Sequence, residues 1–131
     1  MAKFSRASLN RLAGVNYRLQ DLAHEVVLRH HDCSVIYGKR TEAEQSRLVQ
    51  EGMSKTMDSK HLEQEDGTAH AIDLAPYPID WENTKRFYYF AGIVMAVARE
   101  MGIHIRWGGD WDGDDDLDDQ TFMDLVHFEL E

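Results

Sequence analysis

A chain of 131 residues, 43% of them hydrophobic, has room for one folded domain and one core, which we expect to span residues 1–131. Its formal net charge of −10 argues against a nucleic-acid partner, because phosphate binding requires a basic face, and it gives no attraction to an anionic membrane. No apolar run reaches the roughly 20 residues of a membrane span, and the positively charged N-terminus lacks the apolar segment of a secretory signal.

The N-terminal part of the chain predicts a long helix followed by a short strand. Apolar residues recur every three or four positions over residues 9–28, which predicts one helix with Ser5 or Ser8 as its N-cap. The β-branched segment Cys33–Tyr37 predicts the strand. Cys33 is the single cysteine, so it excludes an internal disulfide and a thiolate metal cluster, and we expect a buried structural thiol rather than a nucleophile.

A second helix and a long loop are predicted next. Thr41 and Glu44 have the spacing of a capping box, so the helix is expected to begin after Thr41 and to run towards Gly52. Residues 53–70 show no hydrophobic period and are expected to form a loop that connects this helix to the rest of the domain.

The second half of the chain predicts three strands and one helix. Alternating apolar residues predict strands over residues 71–75, 103–107 and 125–130, and an apolar-rich segment over residues 84–101 predicts a helix. The acidic run over residues 108–120 is expected to be a loop. This order of elements predicts an α+β domain with a small, mainly antiparallel sheet packed by helices.

Three places in the chain carry metal-ligating side chains in settings that a hydrophobic core would not choose. They are His61 in a polar loop, Asp73 between two alanines on a predicted strand, and His127 on the last strand. An unpaired buried carboxylate is costly, so Asp73 needs a partner, and a metal ion is one. Two imidazoles and one carboxylate form a common catalytic zinc set that leaves a fourth position for water. Asp124, three residues before His127, is the candidate base for the proton of that water.

Several motifs around these residues occur in an order that is also found in a known family. Ser59-Lys-His61 matches a Ser-x-His motif, Ala71-Ile-Asp73 matches Ala-x-Asp, and Asp124-Leu-Val-His127 matches acid-x-x-His. The chain thereby resembles the zinc D-Ala-D-Ala carboxypeptidases, vancomycin-resistance dipeptidases and L-alanyl-D-glutamate endopeptidases. Trp-Gly-Gly-Asp-Trp over residues 107–111, followed by an acidic loop, is similar to the short phage endolysins of that family. The resemblance implies the hedgehog/D-Ala-D-Ala peptidase-like fold.

The same resemblance implies roles for single residues. It makes His61, Asp73 and His127 the zinc ligands and Asp124 the general base. Arg40 matches an arginine that steadies the substrate carbonyl and its developing negative charge, although it could also be a surface cation that pairs with a neighbouring glutamate. Ser59 matches a serine that hydrogen-bonds close to the first ligand or to the substrate.

One departure from the family pattern concerns the first zinc ligand. Eleven residues separate His61 from Asp73, which is more than the family usually has, and residues 62–67 are interpreted as an insertion in a loop. The insertion makes His70 a rival ligand. Strand alternation turns His70 to the face opposite Asp73, and His61 is therefore preferred.

The acidic run leaves two interpretations open. Asp110, Asp112 and Asp114 occupy the first, third and fifth positions of an EF-hand-type calcium loop, with Asp119 as a further candidate ligand. Against calcium, Asp115 stands where such loops have glycine, and no glutamate follows at the last position. The alternative is a solvated acidic loop. The similarity to endolysins favours calcium, as does the repulsion between so many like charges.

The function implied is that of a zinc-dependent peptidoglycan endopeptidase, used by a bacteriophage for host lysis, that cuts the stem peptide at the L-alanyl–D-glutamate bond. The alternatives are a D,D-carboxypeptidase or dipeptidase of the same family, and a catalytically silent metal-binding module of a wall or virion. The short chain favours the endopeptidase, and an intact Asp124 argues against the silent module. We expect a monomer that has no signal peptide and stays in the host cytoplasm until it is released to the cell wall.

Overall fold

Four helices and four strands lie in the part of the chain that the computed structural model describes, residues 2–54, 57–115 and 124–131. In these residues the elements are, in chain order, α1 (Arg6–Leu12), α2 (Tyr17–Arg29), β1 (Cys33–Tyr37), α3 (Glu42–Gln50), β2 (Ala71–Pro76), α4 (Thr84–Glu100), β3 (Ile105–Gly108) and β4 (Asp124–Leu130). None of the described helices is long and apolar enough to cross a membrane.

The four strands form one sheet in the order β1-β2-β4-β3, and every neighbouring pair is antiparallel. The α+β prediction with a small antiparallel sheet is therefore confirmed. Strand β2 lies inside the sheet and is buried along its whole length. Its register places Asp73 directly opposite His127 of β4, so two candidate ligands are cross-strand neighbours near the middle of the sheet.

The hydrophobic core lies between one face of this sheet and helices α2 and α4. Ile72 and Leu74 of β2 are fully buried in it, together with Phe128 of β4 and Phe90 of α4. Each such side chain stabilises the fold by about 1.5–3 kcal/mol through burial. Because successive residues of a strand face opposite sides, packing Ile72 and Leu74 on the helices turns Asp73 to the other face.

The prediction of one N-terminal helix is wrong, because residues 13–16 break it into α1 and α2. Gly14 has φ +85°, a left-handed conformation that other residues rarely adopt, and the Asn16 side chain caps α2 by accepting from the Arg18 amide at 3.0 Å. The freed backbone pairs with Ala69: the Ala69 amide donates to the Gly14 carbonyl and the Asn16 amide to the Ala69 carbonyl. The hydrophobic period continued through this turn and concealed it.

The inserted residues 62–67 belong to a small hairpin that ends at Ala69. Glu63 and Ala69 pair across it, and the Asp66 carboxylate at its tip accepts from the Asn16 side chain at 3.1 Å. The insertion is thus tied to the turn between α1 and α2, and the chain around it reaches β2 without displacing Asp73.

The other elements follow their predictions closely. Strand β1 has the predicted bounds, and Thr41 forms the predicted capping box, in which the Glu44 amide donates to the Thr41 hydroxyl and the Thr41 amide to the Glu44 carboxylate, both at 3.1 Å. Cys33 is buried, as predicted, and burial together with the nearby charge of Asp32 raises the pKa of its thiol to about 12. Strand β3 begins at Ile105, two residues later than predicted.

Candidate metal centre and its cleft

Two imidazoles and one carboxylate meet on the sheet face opposite the core. His61 comes from the loop before β2, and its Nε2 atom lies 3.0 Å from Asp73 Oδ1 and 3.2 Å from His127 Nδ1. The third side of this triangle, from His127 Nδ1 to Asp73 Oδ1, measures 3.2 Å. All three side chains are buried, and their donor atoms are close enough together to hold one metal ion. The structure thus brings together the three residues expected to bind zinc.

The outer nitrogen of each imidazole is held by a hydrogen-bond acceptor. His61 Nδ1 lies 2.7 Å from the Gly38 carbonyl oxygen, and His127 Nε2 lies 2.8 Å from Glu129 Oε1. When each ring is neutral with its proton on this outer nitrogen, the inner nitrogen presents a lone pair. In that state two lone pairs and the Asp73 carboxylate converge on one point. Such an arrangement fits a bound cation.

The pKa shifts of Asp73 and His127 also indicate that the triangle favours a bound positive charge. Burial alone would raise the pKa of Asp73, but the His61 charge and the hydrogen bonds from both imidazoles hold it well below its ordinary value. Burial alone would lower the pKa of His127, but hydrogen bonds to Asp73 and Glu129, with the charges of Asp73 and Asp124, raise it to about 9. In the metal-free protein a proton on His127 takes the place of the cation.

Asp124 is the first residue of β4 and lines the same cleft as His61 and His127. Its carboxylate is partly buried, and it makes no hydrogen bond or ion pair with any residue of the described ranges. Burial and the charge of Asp73 raise the pKa of Asp124, while the cationic groups nearby lower it by less. A poorly solvated carboxylate with no partner is well suited to accept a proton.

Arg40 follows β1 and is fixed on three sides. One guanidinium nitrogen donates to Gln45 Oε1 at 3.0 Å, another lies 3.7 Å from Asp73 Oδ2, and the guanidinium carbon sits 4.6 Å above the Tyr37 ring. The Arg40 Nε is buried and has no acceptor among the described residues. The interpretation of Arg40 as a surface cation paired with a neighbouring glutamate does not fit, because its side chain is only 11% exposed and its partners lie elsewhere.

Ser59 and Lys60 support the two histidine ligands without being ligands themselves. The Ser59 hydroxyl accepts from the backbone amide of His61 at 3.2 Å, which fixes the turn that presents His61. Lys60 Nζ donates to the Leu130 carbonyl and lies 3.3 Å from Glu129 Oε2, so it holds the carboxylate that orients His127. Burial alone would raise the pKa of Glu129, but the hydrogen bond from His127 and the nearby positive charges lower it below its ordinary value.

His70, the rival to His61, lies away from the triangle. Its Nε2 is 2.9 Å from Asp66 Oδ2 in the inserted hairpin, and its backbone joins Lys60 and Leu130. No atom of His70 belongs to the group of donor atoms that can hold a metal within the described residues. The geometry is that expected from strand alternation, which turned His70 away from Asp73.

The acidic loop brings three of its aspartates together. Asp110, Asp112 and Asp114 each offer an oxygen, and these oxygens lie within 4.8 Å of one another. The Asp110 Oδ1 atom is buried without a hydrogen-bond partner among the described residues, and burial raises the Asp110 pKa, as do the neighbouring carboxylates. Asp115 adopts φ +64°, the left-handed conformation that glycine takes at this position of calcium loops. Asp119 lies outside the described residues.

A cleft of about 460 Å³ opens to solvent beside the triangle of donor atoms. It is lined by all of the predicted catalytic side chains, Arg40, Ser59 and Asp124, together with His61 and His127. Trp111 also lines it, with its ring 5.2 Å from the His127 ring between centroids. The cleft brings together a metal-binding group, a carboxylate with a raised pKa and a fixed guanidinium, which are the components that hydrolysis of a peptide bond requires.

Two supporting residues were not identified from the sequence. Gln45 is fully buried and bonds Arg40 on one side and the Ser54 hydroxyl at 2.8 Å on the other. Gln45 lies one turn before Leu48 on the buried face of α3, and a polar residue at such a position indicates a hydrogen-bonding role. The Gly38 carbonyl left no signal, since any residue carries a carbonyl and only the fold places this one beside His61.

Comparison with known proteins gives three concordant matches. The whole chain, residues 1–131, matches the family of phage L-alanyl-D-glutamate peptidases. It is 33% identical over 125 residues to an L-alanyl-D-glutamate peptidase of Escherichia phage T5, and the match covers 90% of this chain and 88% of that protein. The fold is similar to the crystal structure of the Serratia marcescens L-Ala D-Glu endopeptidase ChiX, with a TM-score of 0.77 and 30% identity, covering 99% of this chain and 91% of ChiX.

The fold, the donor set and these matches define a peptidase. The chain belongs to the phage L-alanyl-D-glutamate peptidase family. The resemblance inferred from its motifs is therefore confirmed, and so is its assignment as an enzyme.

Proposed function

We propose that this protein is a zinc-dependent endopeptidase that hydrolyses the L-alanyl–D-glutamate bond of the peptidoglycan stem peptide. One observation carries the metal requirement: donor atoms of His61, Asp73 and His127 converge within reach of one ion, and an acceptor holds the outer nitrogen of each imidazole. Two neutral imidazoles and one carboxylate are a donor set that zinc prefers in catalytic sites. The family match supports the choice of bond.

The roles of the cleft residues follow from their positions. Zinc, when bound by these donors, would polarise the scissile carbonyl and acidify a water molecule. Asp124 would accept the proton of that water and pass it to the departing amine, because its carboxylate lines the cleft and its pKa is raised. The Arg40 guanidinium lines the cleft beside Asp73 and would bind the carbonyl oxygen as negative charge develops on it. Ser59 would keep the His61 turn in place.

Calcium is proposed as a second, structural ion in the loop after β3. The convergence of Asp110, Asp112 and Asp114 supports it, as does the left-handed backbone at Asp115. The buried Asp110 Oδ1, which has no hydrogen-bond partner in the described part of the chain, supports it as well. A bound cation would offset the mutual repulsion of these carboxylates. It would also fix Trp111, a residue of this loop whose ring lies against the His127 ring.

We further propose that the protein works as a monomer. One chain supplies the three metal donors, the proposed base and the guanidinium, so the cleft needs no residue from a second copy. The stem peptide lies outside the bacterial membrane, and the proposed activity therefore requires that the chain be released from the host cytoplasm to the wall.

Mass spectrometry of digested peptidoglycan tests the proposed function. The protein is stripped of metal, restored with zinc, and incubated with purified wall material or a soluble stem peptide. We expect new D-glutamate amino termini and new L-alanine carboxyl termini, which appear only after zinc is restored. Release of terminal D-alanine alone would instead identify a D,D-carboxypeptidase, and the absence of new termini would identify a silent module.

A further inference from the structure

Three long cationic side chains line the cleft, and two of them are already engaged. Arg40 is held by Gln45 and Asp73, and Lys60 by Glu129 and the Leu130 carbonyl. The third, Arg106 of β3, is exposed and forms no ion pair or side-chain hydrogen bond with the described residues. Its guanidinium is therefore free to bind a ligand in the cleft.

The sheet register places Arg106 on the same face as the metal centre. Ile105 and Trp107, its neighbours in β3, are buried in the core, so Arg106 points to the opposite face. Its cross-strand partner is Glu129, which itself bonds His127. His127 lies two residues from Glu129 along β4, a diagonal position that a long side chain can reach. Arg106 thus stands beside the metal donors on the open side of the sheet.

The substrate of the proposed reaction carries a negatively charged group close to the bond that is cut. D-glutamate continues the stem peptide through its γ-carboxyl group, which leaves its α-carboxylate free. The α-carboxylate carbon is two bonds from the scissile nitrogen, about 2.5 Å away. A substrate bound with its scissile carbonyl near His61, Asp73 and His127 must therefore place this carboxylate inside the cleft.

The cleft would repel that carboxylate without a matching cation. Asp58, Asp124 and Glu129 line it, and the whole chain has a formal net charge of −10. A guanidinium binds a carboxylate through two parallel hydrogen bonds, which a lysine cannot do. Arg106 has the free donors, the position and the charge for this contact.

We infer that Arg106 binds the free α-carboxylate of the D-glutamate residue and selects stems that carry this charge over stems in which it is amidated. The inference rests on the proposed function, since it assigns a binding group to the D-glutamate residue, which supplies the nitrogen of the scissile bond. It adds to that function a preference for cell walls in which the α-carboxylate of D-glutamate is not amidated.

Paired substrates and paired variants test the inference. The two peptides are acyl-L-alanyl-D-glutamate stems extended through the γ-carboxyl, one with a free α-carboxylate and one with an α-carboxamide. For each, kcat/KM is measured with zinc-loaded wild type, R106K, R106Q and R99Q. The last variant removes the same charge from an exposed arginine of α4 that lies outside this cleft.

We expect wild type and R99Q to prefer the carboxylate peptide about tenfold or more, the usual effect of a charge-assisted hydrogen bond. R106Q should bring the ratio of the two peptides close to one, mainly through KM, and R106K should retain part of the preference. Equal cleavage of both peptides by wild type, or an equal loss on both peptides in R106Q, would overturn the inference while leaving the proposed function intact. Cleavage of neither peptide by wild type would overturn both.

Discussion

At the scale of single residues, Asp124 is the group on which turnover should depend most. Its carboxylate lines the cleft without a partner in the described part of the chain, and burial raises its pKa. We predict that Asp124→Asn lowers kcat on the order of a hundredfold or more, the usual effect of losing a general base, while zinc binding is kept. The measurement is stem-peptide turnover together with metal content.

Asp58→Asn is the matched control, because Asp58 also lines the cleft with a carboxylate. Its turnover should stay near that of the wild type. If Asp124→Asn keeps normal turnover, Asp124 is not the base. If both variants lose activity equally, the loss reflects the charge of the cleft rather than a proton transfer.

The raised pKa of His127 predicts how the stability of the metal-free protein depends on pH. The folded-state value of about 9 lies above the unfolded value of 6.5, so the proton on His127 stabilises the fold fully below pH 6.5. This contribution, on the order of 3 kcal/mol, is lost as the pH rises through 9. Denaturant unfolding of metal-stripped protein at pH 6 and pH 9.5 measures the loss.

Two comparisons give this prediction its control. His127→Gln should flatten the dependence, since the titrating group is gone. Zinc-loaded wild type should not follow it either, because the metal replaces the proton and binding releases it. Metal-stripped wild type that is equally stable at both pH values would show that the proton is not shared with Asp73 as the distances indicate.

At the scale of elements, the end of β1 has a direct effect on the metal centre. Gly38 presents its carbonyl to His61 Nδ1, and a Cβ on Gly38 would lie 1.9 Å from the Arg11 carbonyl oxygen of α1. Gly38→Ala must therefore move the strand end or the helix. We predict that it destabilises the fold by about 1–3 kcal/mol and weakens zinc binding about 10–100-fold.

Gly92→Ala in α4 is the control, because a Cβ there meets nothing within 4 Å. Alanine is a better helix former than glycine, so this change should raise stability by up to about 1 kcal/mol and leave zinc affinity unchanged. Thermal unfolding and zinc titration of both variants are the measurements. Normal zinc affinity in a folded Gly38→Ala protein would mean that the Gly38 carbonyl does not orient His61.

The loop after β3 is the element in which calcium should act. Calorimetric titration of zinc-restored protein should show calcium binding, and excess calcium should raise the melting temperature by mass action. Asp112→Asn should weaken both effects, whereas Asp21→Asn, which removes an exposed carboxylate of α2, should leave them unchanged. No calcium heat in the wild type, or the same heat in both variants, would identify the run as a solvated acidic loop.

At the scale of the whole molecule, local patterns predicted most of the fold and the chemistry of the site. The capping box at Thr41, the alternation in β2 and the motifs around His61 and His127 are short-range signals, and each led to the observed element or group. The break at Gly14 was missed because it depends on pairing with Ala69, more than fifty residues away in the chain.

The contacts that support the site could not be predicted from the sequence, because they too join residues far apart in the chain. Gly38 bonds His61 across 23 residues, and Arg106 meets the metal face only because β3 pairs with β4. Ligand identity follows from residue type and spacing, but the groups that orient ligands and bind substrate follow from the tertiary fold.

The central claim is that His61, Asp73 and His127 form a zinc centre on which peptidase activity depends. The most direct test uses purified His61→Ala and His70→Ala, both shown to be folded by circular dichroism. The metal content and the stem-peptide cleavage of each variant are measured. We predict that the His61 variant loses zinc and activity together, because two remaining ligands do not hold a catalytic zinc tightly, and that the His70 variant keeps both. Zinc and activity retained in the His61 variant but lost in the His70 variant would contradict the assignment.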